Sequence, residues 1–234
     1  MTIRPKGVLI DCGGTLLEET FFDPRPGDEW LLDRTSCNPS QVTIDQISER
    51  RRIIDDQVIA RRDECRVETP WPMLMRLIYD FFGIQFDSKW ADLELDFWKA
   101  CMDTKPMPGA IEALNELHRN DIPTAVVSNS IYGSTVLHYE LARKGLAEHL
   151  RFIMTSSEYS VRKPSPLLFD IAAARLGIRP ADIWFVGDRL DIDVNGAISA
   201  GMTPVWFQPP EGSSPSCLSV ANWSDFLDHL KMAV

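Results

Sequence analysis

Cysteine is sparse in this 234-residue chain and nowhere paired. Cys12, Cys37, Cys65, Cys101 and Cys217 are an odd number with no C-x-x-C spacing, so neither a disulfide framework nor a cysteine-built zinc site is indicated. A reducing, cytoplasmic setting is expected. Long apolar runs are missing too. The N-terminal MTIRPKGVLI has no signal-like apolar region, and no segment approaches the roughly 20 apolar residues that span a bilayer. Basic charge is in deficit, with 24 Lys and Arg against 34 Asp and Glu. That balance argues against a general binder of nucleic acid or anionic membrane, while leaving room for local basic clusters. Internal repeats and low-complexity tracts are absent, and QPPEGSSPS at 208–216 reads as a surface loop.

The length suffices for one domain with a sizeable insertion, or for two modest domains. GVLID, PTAVVSNS (123–130), LRFIMTSS (150–157) and DIWFVGDR (182–189) are short β-type runs. The helical patterns PGAIEALNELHRN, SPLLFDIAAARLG and DIDVNGAISAGM intervene or follow, and TPVWFQ (203–208) and a helix near 223–233 complete the series. A β-α-β-α series of this kind predicts an α/β fold with a doubly wound parallel sheet covered by helices. Between Leu17 and about Met107 the alternation stops, and three helical stretches begin near Thr43, Pro70 and Ser88. These predict an inserted all-helical cap over 18–106, with the core formed by 1–17 and 107–234.

In doubly wound sheets, ligands bind beyond the carboxyl ends of the strands. Asp11, Ser128 with Asn129, Lys163, and Asp188 with Asp191 and Asp193 fall at or beyond those ends. Together they make a set suited to phosphoryl transfer. A carboxylate can attack phosphorus and split one difficult displacement into two. Carboxylates converging from different strands suit a hard Mg²⁺ ion. A lysine and a hydroxyl can bind the remaining phosphoryl oxygens, where transition-state charge resides.

VLIDCGGTLL, VVSNS, VRKPSPLLF and FVGDRLDIDVNGAISAGM, in this order, resemble the four motifs of the haloacid dehalogenase superfamily. The resemblance covers about residues 6–17 and 107–208. It implies a Rossmann-like core with a cap inserted between the first and second motifs, and a cap that closes over a small phosphorylated substrate. It also implies Asp11 as nucleophile, Ser128 and Asn129 as phosphate contacts, and Lys163 as both catalytic and phosphate-binding. Mg²⁺ would be held by Asp11, the Gly13 carbonyl and Asp188, with Asp193 in support. A monomer or homodimer is expected, with no nucleic-acid or membrane partner.

Gly13 departs from the pattern, because phosphatases of that family usually carry a second aspartate two residues after the nucleophile. A positioned general acid-base is typically worth roughly 10² to 10⁴ in rate. Its loss should matter most for poor alkoxide leaving groups. Two alternatives follow: a 2-haloacid dehalogenase-like hydrolase, or a binding or regulatory module that keeps the fold and metal site. Other charged and aromatic residues have plainer readings. Asp191 is expected to cap a helix, Arg50–Arg52 and Arg61–Arg62 to face solvent, and Trp71, Trp90 and Trp98 to pack the cap or its seat. Cys12 is expected to be a small buried residue. Glu18 and Glu19 are expected to be ordinary hinge-loop residues, with reaching back to replace the missing acid as the alternative reading.

Overall fold

The computed structural model describes residues 3–213 and 217–233. The chain begins with strand β1 (Gly7–Ile10) and then passes into the insertion. The insertion contains β2 (Leu17–Phe22), α1 (Arg25–Leu32), α2 (Ile44–Gln57), α3 (Arg62–Cys65), α4 (Trp71–Tyr79), α5 (Trp90–Cys101) and β3 (Met102–Pro106). The core resumes with α6 (Ala110–Arg119), β4 (Thr124–Ser128), α7 (Ser134–Arg143), β5 (Leu150–Thr155) and α8 (Pro166–Leu176). It ends with β6 (Ile183–Gly187), α9 (Asn195–Ser199), β7 (Thr203–Phe207), β8 (Leu218–Val220) and α10 (Trp223–Met232).

The six-stranded sheet has the order β5-β4-β1-β6-β7-β8, and every neighbouring pair is parallel. Its central strands are buried on both faces, which is why they read as unbroken apolar runs. Period-two alternation divides them between two cores. Val8, Ile10, Trp184 and Val186 enter the larger cluster with α6, α7 and α10. Leu9, Ile183 and Phe185 enter a smaller one with Phe169 of α8 and Ala197 of α9. From β1 the chain builds outward through β4 to β5, then returns to the other side of β1 with β6. The strand order therefore reverses beside β1, so the carboxyl ends of β4, β1 and β6 form the crevice where such sheets bind ligands.

The insertion is helical through its body but leaves and re-enters the core on an antiparallel ribbon, β2 with β3, paired from Leu17–Pro106 to Phe22–Met102. The all-helical expectation is corrected here. Only Leu17 of β2 is buried, and Glu18 to Phe22 are exposed. The strand therefore lacks the alternation that marks a half-buried strand in sequence. The stretch 43–67 is also not one helix, since α2 ends at Gln57 and α3 stops at Arg66, whose φ is +55°.

Arg51 corrects the expectation of a solvated basic face. Successive residues on a helix diverge by about 100°, so Arg50, Arg51 and Arg52 meet three different surroundings. The Arg51 guanidinium turns inward and donates to both oxygens of buried Asp28 at 2.8 and 2.6 Å, and the Tyr79 hydroxyl donates to the same carboxylate at 2.8 Å. Arg50 lies over the Phe81 ring and Arg52 pairs with Glu49 at the surface. Trp71 is fully buried against Trp90 and Phe97, and Trp98 packs edge-on against Tyr132 of the core. Further contacts seat the insertion on the core: the Trp71 backbone N–H donates to the Ile131 carbonyl at 2.8 Å, and Gly133 N–H to the Glu94 carboxylate at 3.0 Å. Among the described residues, no helix is long and apolar enough to cross a membrane.

Candidate active site

Asp11 follows β1 directly, and its backbone N–H donates to Val186 of β6 at 2.9 Å. Ser128 is the last residue of β4 and Asp188 the first after β6. Three adjacent parallel strands thus deliver a carboxylate, a hydroxyl and a second carboxylate to one edge. Lys163 comes from the loop between β5 and α8. Its buried ammonium lies 2.7 Å from Asp11 Oδ1 and 2.7 Å from Asp193 Oδ1. Carboxylate oxygens of Asp11, Asp188 and Asp193 all lie within 4.8 Å of one another.

Two glycines permit this convergence. A Cβ on Gly14, whose φ is +73°, would lie 2.6 Å from Asp188 Oδ2, and one on Gly187 would lie 2.5 Å from the Asp193 side chain. Any side chain at either position would push those carboxylates away. Gly13 is the contrary case, because a Cβ there meets no atom within 4 Å. Nothing in the fold demands glycine at 13 for want of room.

Crowding shows in the charge states. Burial, then the neighbouring Asp193 and Asp188, raise the Asp11 carboxyl above the usual carboxylate range despite the opposing pull of Lys163. Asp188 is likewise raised, by burial and by Asp193. Burial alone would lower the Lys163 ammonium, but Asp11 and Asp193 outweigh it and the net shift is upward. Three carboxylates thus share one lysine, leaving a surplus of negative charge at the strand ends. Burial also pushes the Cys12 thiol up, which makes it a poor thiolate source.

The structure gives several expected residues more specific surroundings. Asn129 uses its side-chain amide on the Lys163 backbone, donating to the carbonyl at 3.0 Å and accepting from the N–H at 2.8 Å. Asp193 pairs with Lys163 and accepts from Arg189 N–H at 3.1 Å. Asp191 is not a cap: its exposed carboxylate pairs with Arg189 at 2.9 Å, and α9 begins with no side-chain cap. Glu18 pairs with Lys105 across the ribbon at 3.2 Å.

A cavity of about 240 Å³ opens over this edge. Cys12, Gly13, Ser128 and Asn129 line its core side, and Glu19, Phe22, Arg62 and Trp98 line its insertion side. Glu19 therefore shares a cavity with the open space at Gly13. Arg62 also lines it, contrary to the solvated reading. Its position on α3 follows from the break after α2, which helical periodicity did not reveal. Glu140 was missed as well. Buried on α7 and lining the same cavity, it accepts from Trp98 Nε1, Thr104 Oγ1 and the Arg143 guanidinium. A glutamate on a core helix carries no sequence signal for such a role.

Comparison with known proteins identifies the family. A family model for hydrolases, described as haloacid dehalogenase-like hydrolase, matches residues 5–201. The chain is 28% identical over 205 residues to the glyceraldehyde 3-phosphate phosphatase of Pyrococcus furiosus, covering 80% of this chain and 79% of that one. It is 32% identical over 118 residues to the ribulose-1,5-bisphosphate 5-phosphatase of Halopiger xanaduensis, covering 50% and 48%. The chain spans about half the length, or less, of several curated relatives that it matches. Among solved structures, the 2-haloacid dehalogenase of Pseudomonas syringae pv. Tomato DC3000 superposes with a TM-score of 0.67 at 19% identity, covering 98% of this chain and 99% of that one. Identity at that level speaks for the shared fold alone. With the sheet order, the strand-end residues and a family match over residues 5–201, the chain belongs to the haloacid dehalogenase-like hydrolases.

Proposed function

We propose that this hydrolase is a Mg²⁺-dependent phosphatase of small phosphorylated metabolites, working through an aspartyl-phosphate at Asp11. One observation carries the reading: Asp11 is held 2.7 Å from a buried lysine while carboxylate oxygens of Asp188 and Asp193 lie within 4.8 Å. The donor set fits a hard divalent cation. All three side chains offer oxygen, and the upward shifts of Asp11 and Asp188 are repulsions that a cation between them would relieve. Asp193 is engaged with Lys163 and the Arg189 amide; the family resemblance implies that Asp11, Asp188 and the Gly13 carbonyl would hold the ion, with Asp193 in support. When bound, Mg²⁺ supplies positive charge to the phosphoryl oxygens.

The chain's own residues account for the remaining work. An Asp11 oxygen attacks phosphorus, the ester P–O bond breaks, and the leaving oxygen takes a proton. Water then attacks the aspartyl-phosphate, restoring the carboxylate and releasing phosphate. The Lys163 ammonium and the Ser128 hydroxyl stabilise the phosphoryl oxygens, while Asn129 holds the Lys163 backbone in place. No side chain at position 13 protonates the leaving oxygen. Solvent, substrate or Glu19 on the cavity wall must do so, which favours acyl phosphates and activated esters over simple alkyl phosphates.

The relatives are named as phosphatases of phosphorylated small molecules, which supports this substrate class. The test is a panel of acyl phosphates and phosphomonoesters assayed with Mg²⁺, with Asp11→Asn as control. Turnover that survives Asp11→Asn would sink the mechanism. Gly13→Asp, entering open space, is expected to raise phosphomonoester turnover by roughly 10² to 10⁴; no change means that another group already supplies the proton. The dehalogenase reading predicts halide release from a 2-haloacid in excess chelator, and that result would displace the phosphatase.

A further inference from the structure

Glu68 lies in the insertion between α3 and α4, yet its side chain is fully buried at the core. Its Oε2 accepts from Arg162 Nη1 and, at 2.6 Å, from Ser156 Oγ. Its Oε1 accepts from Thr69 N–H at 3.2 Å and lies 3.9 Å from the Arg62 guanidinium. The backbone is fastened at the same point. Glu68 N–H donates to the Ser160 carbonyl at 3.2 Å, Arg162 N–H donates to the Arg66 carbonyl at 3.1 Å, and Val67 bridges antiparallel to Val161.

Both side-chain partners of Oε2 lead to the reacting centre. Arg162 precedes Lys163, whose ammonium holds Asp11. Ser156 Oγ accepts from Ser130 N–H at 2.9 Å, and Ser130 lies two residues beyond Ser128 on the loop after β4. One carboxylate from the insertion therefore joins the two loops that carry the phosphoryl-binding groups, and Asn129 joins them a second time through Lys163. Glu68 lies outside the motifs that carry the family resemblance, whereas Arg162 falls within VRKPSPLLF, next to Lys163.

We propose that Glu68 is a positioning residue, which through Arg162 and Ser156 holds the loops bearing Lys163 and Ser130 in working geometry while the insertion is seated on the core. The proposal rests on the phosphatase reading of the site. It makes the seating of the insertion a condition for correct placement of the lysine, beyond covering the substrate. The task demands a charged carboxylate. Glutamine could still accept from Arg162 and Ser156, but its NH₂ group would then face the Thr69 N–H and the Arg62 guanidinium, and the buried ion pair between Glu68 and Arg162 would be lost.

The test compares wild type, Glu68→Gln and Asp11→Asn with acetyl phosphate and Mg²⁺, reading kcat and KM separately, alongside backbone amide exchange. For Glu68→Gln the expected result is a kcat about 10- to 100-fold lower with KM within about threefold, and faster exchange at Arg162 and Lys163. A merely structural role lowers the folded fraction and melting temperature without that split. A folded Glu68→Gln whose kcat stays within about twofold of wild type, or a loss confined to KM, overturns the proposal. Should Glu68→Gln fail to fold, Ser156→Ala leaves the ion pair intact. It is expected to lower kcat several-fold and speed exchange at Ser130, and wild-type values for both would overturn the proposal. Should wild type turn over none of the probes, the phosphatase reading fails, and amide exchange at Arg162 and Lys163 decides the coupling by itself.

Discussion

The insertion and the sheet edge bury charge in opposite ways. Inside the insertion, Asp28 is matched by one guanidinium and one hydroxyl, all within 2.8 Å. At the strand ends, Asp11, Asp188 and Asp193 crowd a single lysine, and burial with mutual repulsion raises two of the three carboxyls. The first arrangement is closed and needs nothing further, so its role is to hold helices together. The second keeps a surplus of carboxylate over ammonium, and the proposed metal site rests on that surplus.

The comparison breaks most visibly through stability. Asp28→Ala strands the Arg51 guanidinium, which is nearly buried, and is expected to cost about 3–5 kcal/mol in denaturant unfolding. A cost near zero would mean that the pair is not the closed structural unit described. Gly14→Ala should cost less, roughly 1–3 kcal/mol, because it combines a φ of +73° with a Cβ pressed against the Asp188 carboxylate. It should also weaken Mg²⁺ binding, as read by calorimetry.

Asp188→Asn is expected to act in the opposite sense. In chelator it relieves repulsion at the edge and should raise stability slightly, by roughly 1 kcal/mol or less after solvent screening. With Mg²⁺ present, the same variant should need at least about tenfold more metal for half-maximal activity. A variant destabilised in chelator would contradict the idea of a charge surplus.

The smallest effect concerns the seat between α5 and the core. Burial pushes the Glu94 carboxyl up from 4.5 to about 7, against the pull of its bond from Gly133 N–H and with help from Glu158. A carboxyl whose folded value is raised favours the fold while protonated, so this contribution is lost as pH rises from about 4.5 to about 7. Glu94→Gln keeps an acceptor for Gly133. It should flatten that decline, gaining on the order of 1 kcal/mol at pH 8 and nothing at pH 4 in thermal melts.

Much of the core could be read from sequence for a physical reason. Strands buried on both faces, such as Gly7–Ile10 and Ile183–Gly187, must be continuously apolar, and polar residues at their ends then stand out. Asp11, Ser128 and Asp188 stand out that way, whereas Lys163 lies in the loop between β5 and α8 and is singled out by the motif resemblance. The ribbon of β2 and β3 was hidden because its exposed faces carry no apolar period. The roles of Asn129, Arg51 and Glu68 were hidden because each depends on a partner far along the chain: Lys163, Asp28 and Arg162. Local spacing identifies groups suited to the chemistry, whereas the groups that hold them depend on tertiary contacts.

The most direct measurement is to quench the protein in acid during turnover of acetyl phosphate with Mg²⁺ and map phosphorylation by mass spectrometry. One phosphoryl group on the peptide bearing Asp11, absent from Asp11→Asn and from chelator-treated protein, is the predicted result. Turnover with no phosphoryl group on that peptide, or with the label on another residue, would contradict a nucleophilic Asp11.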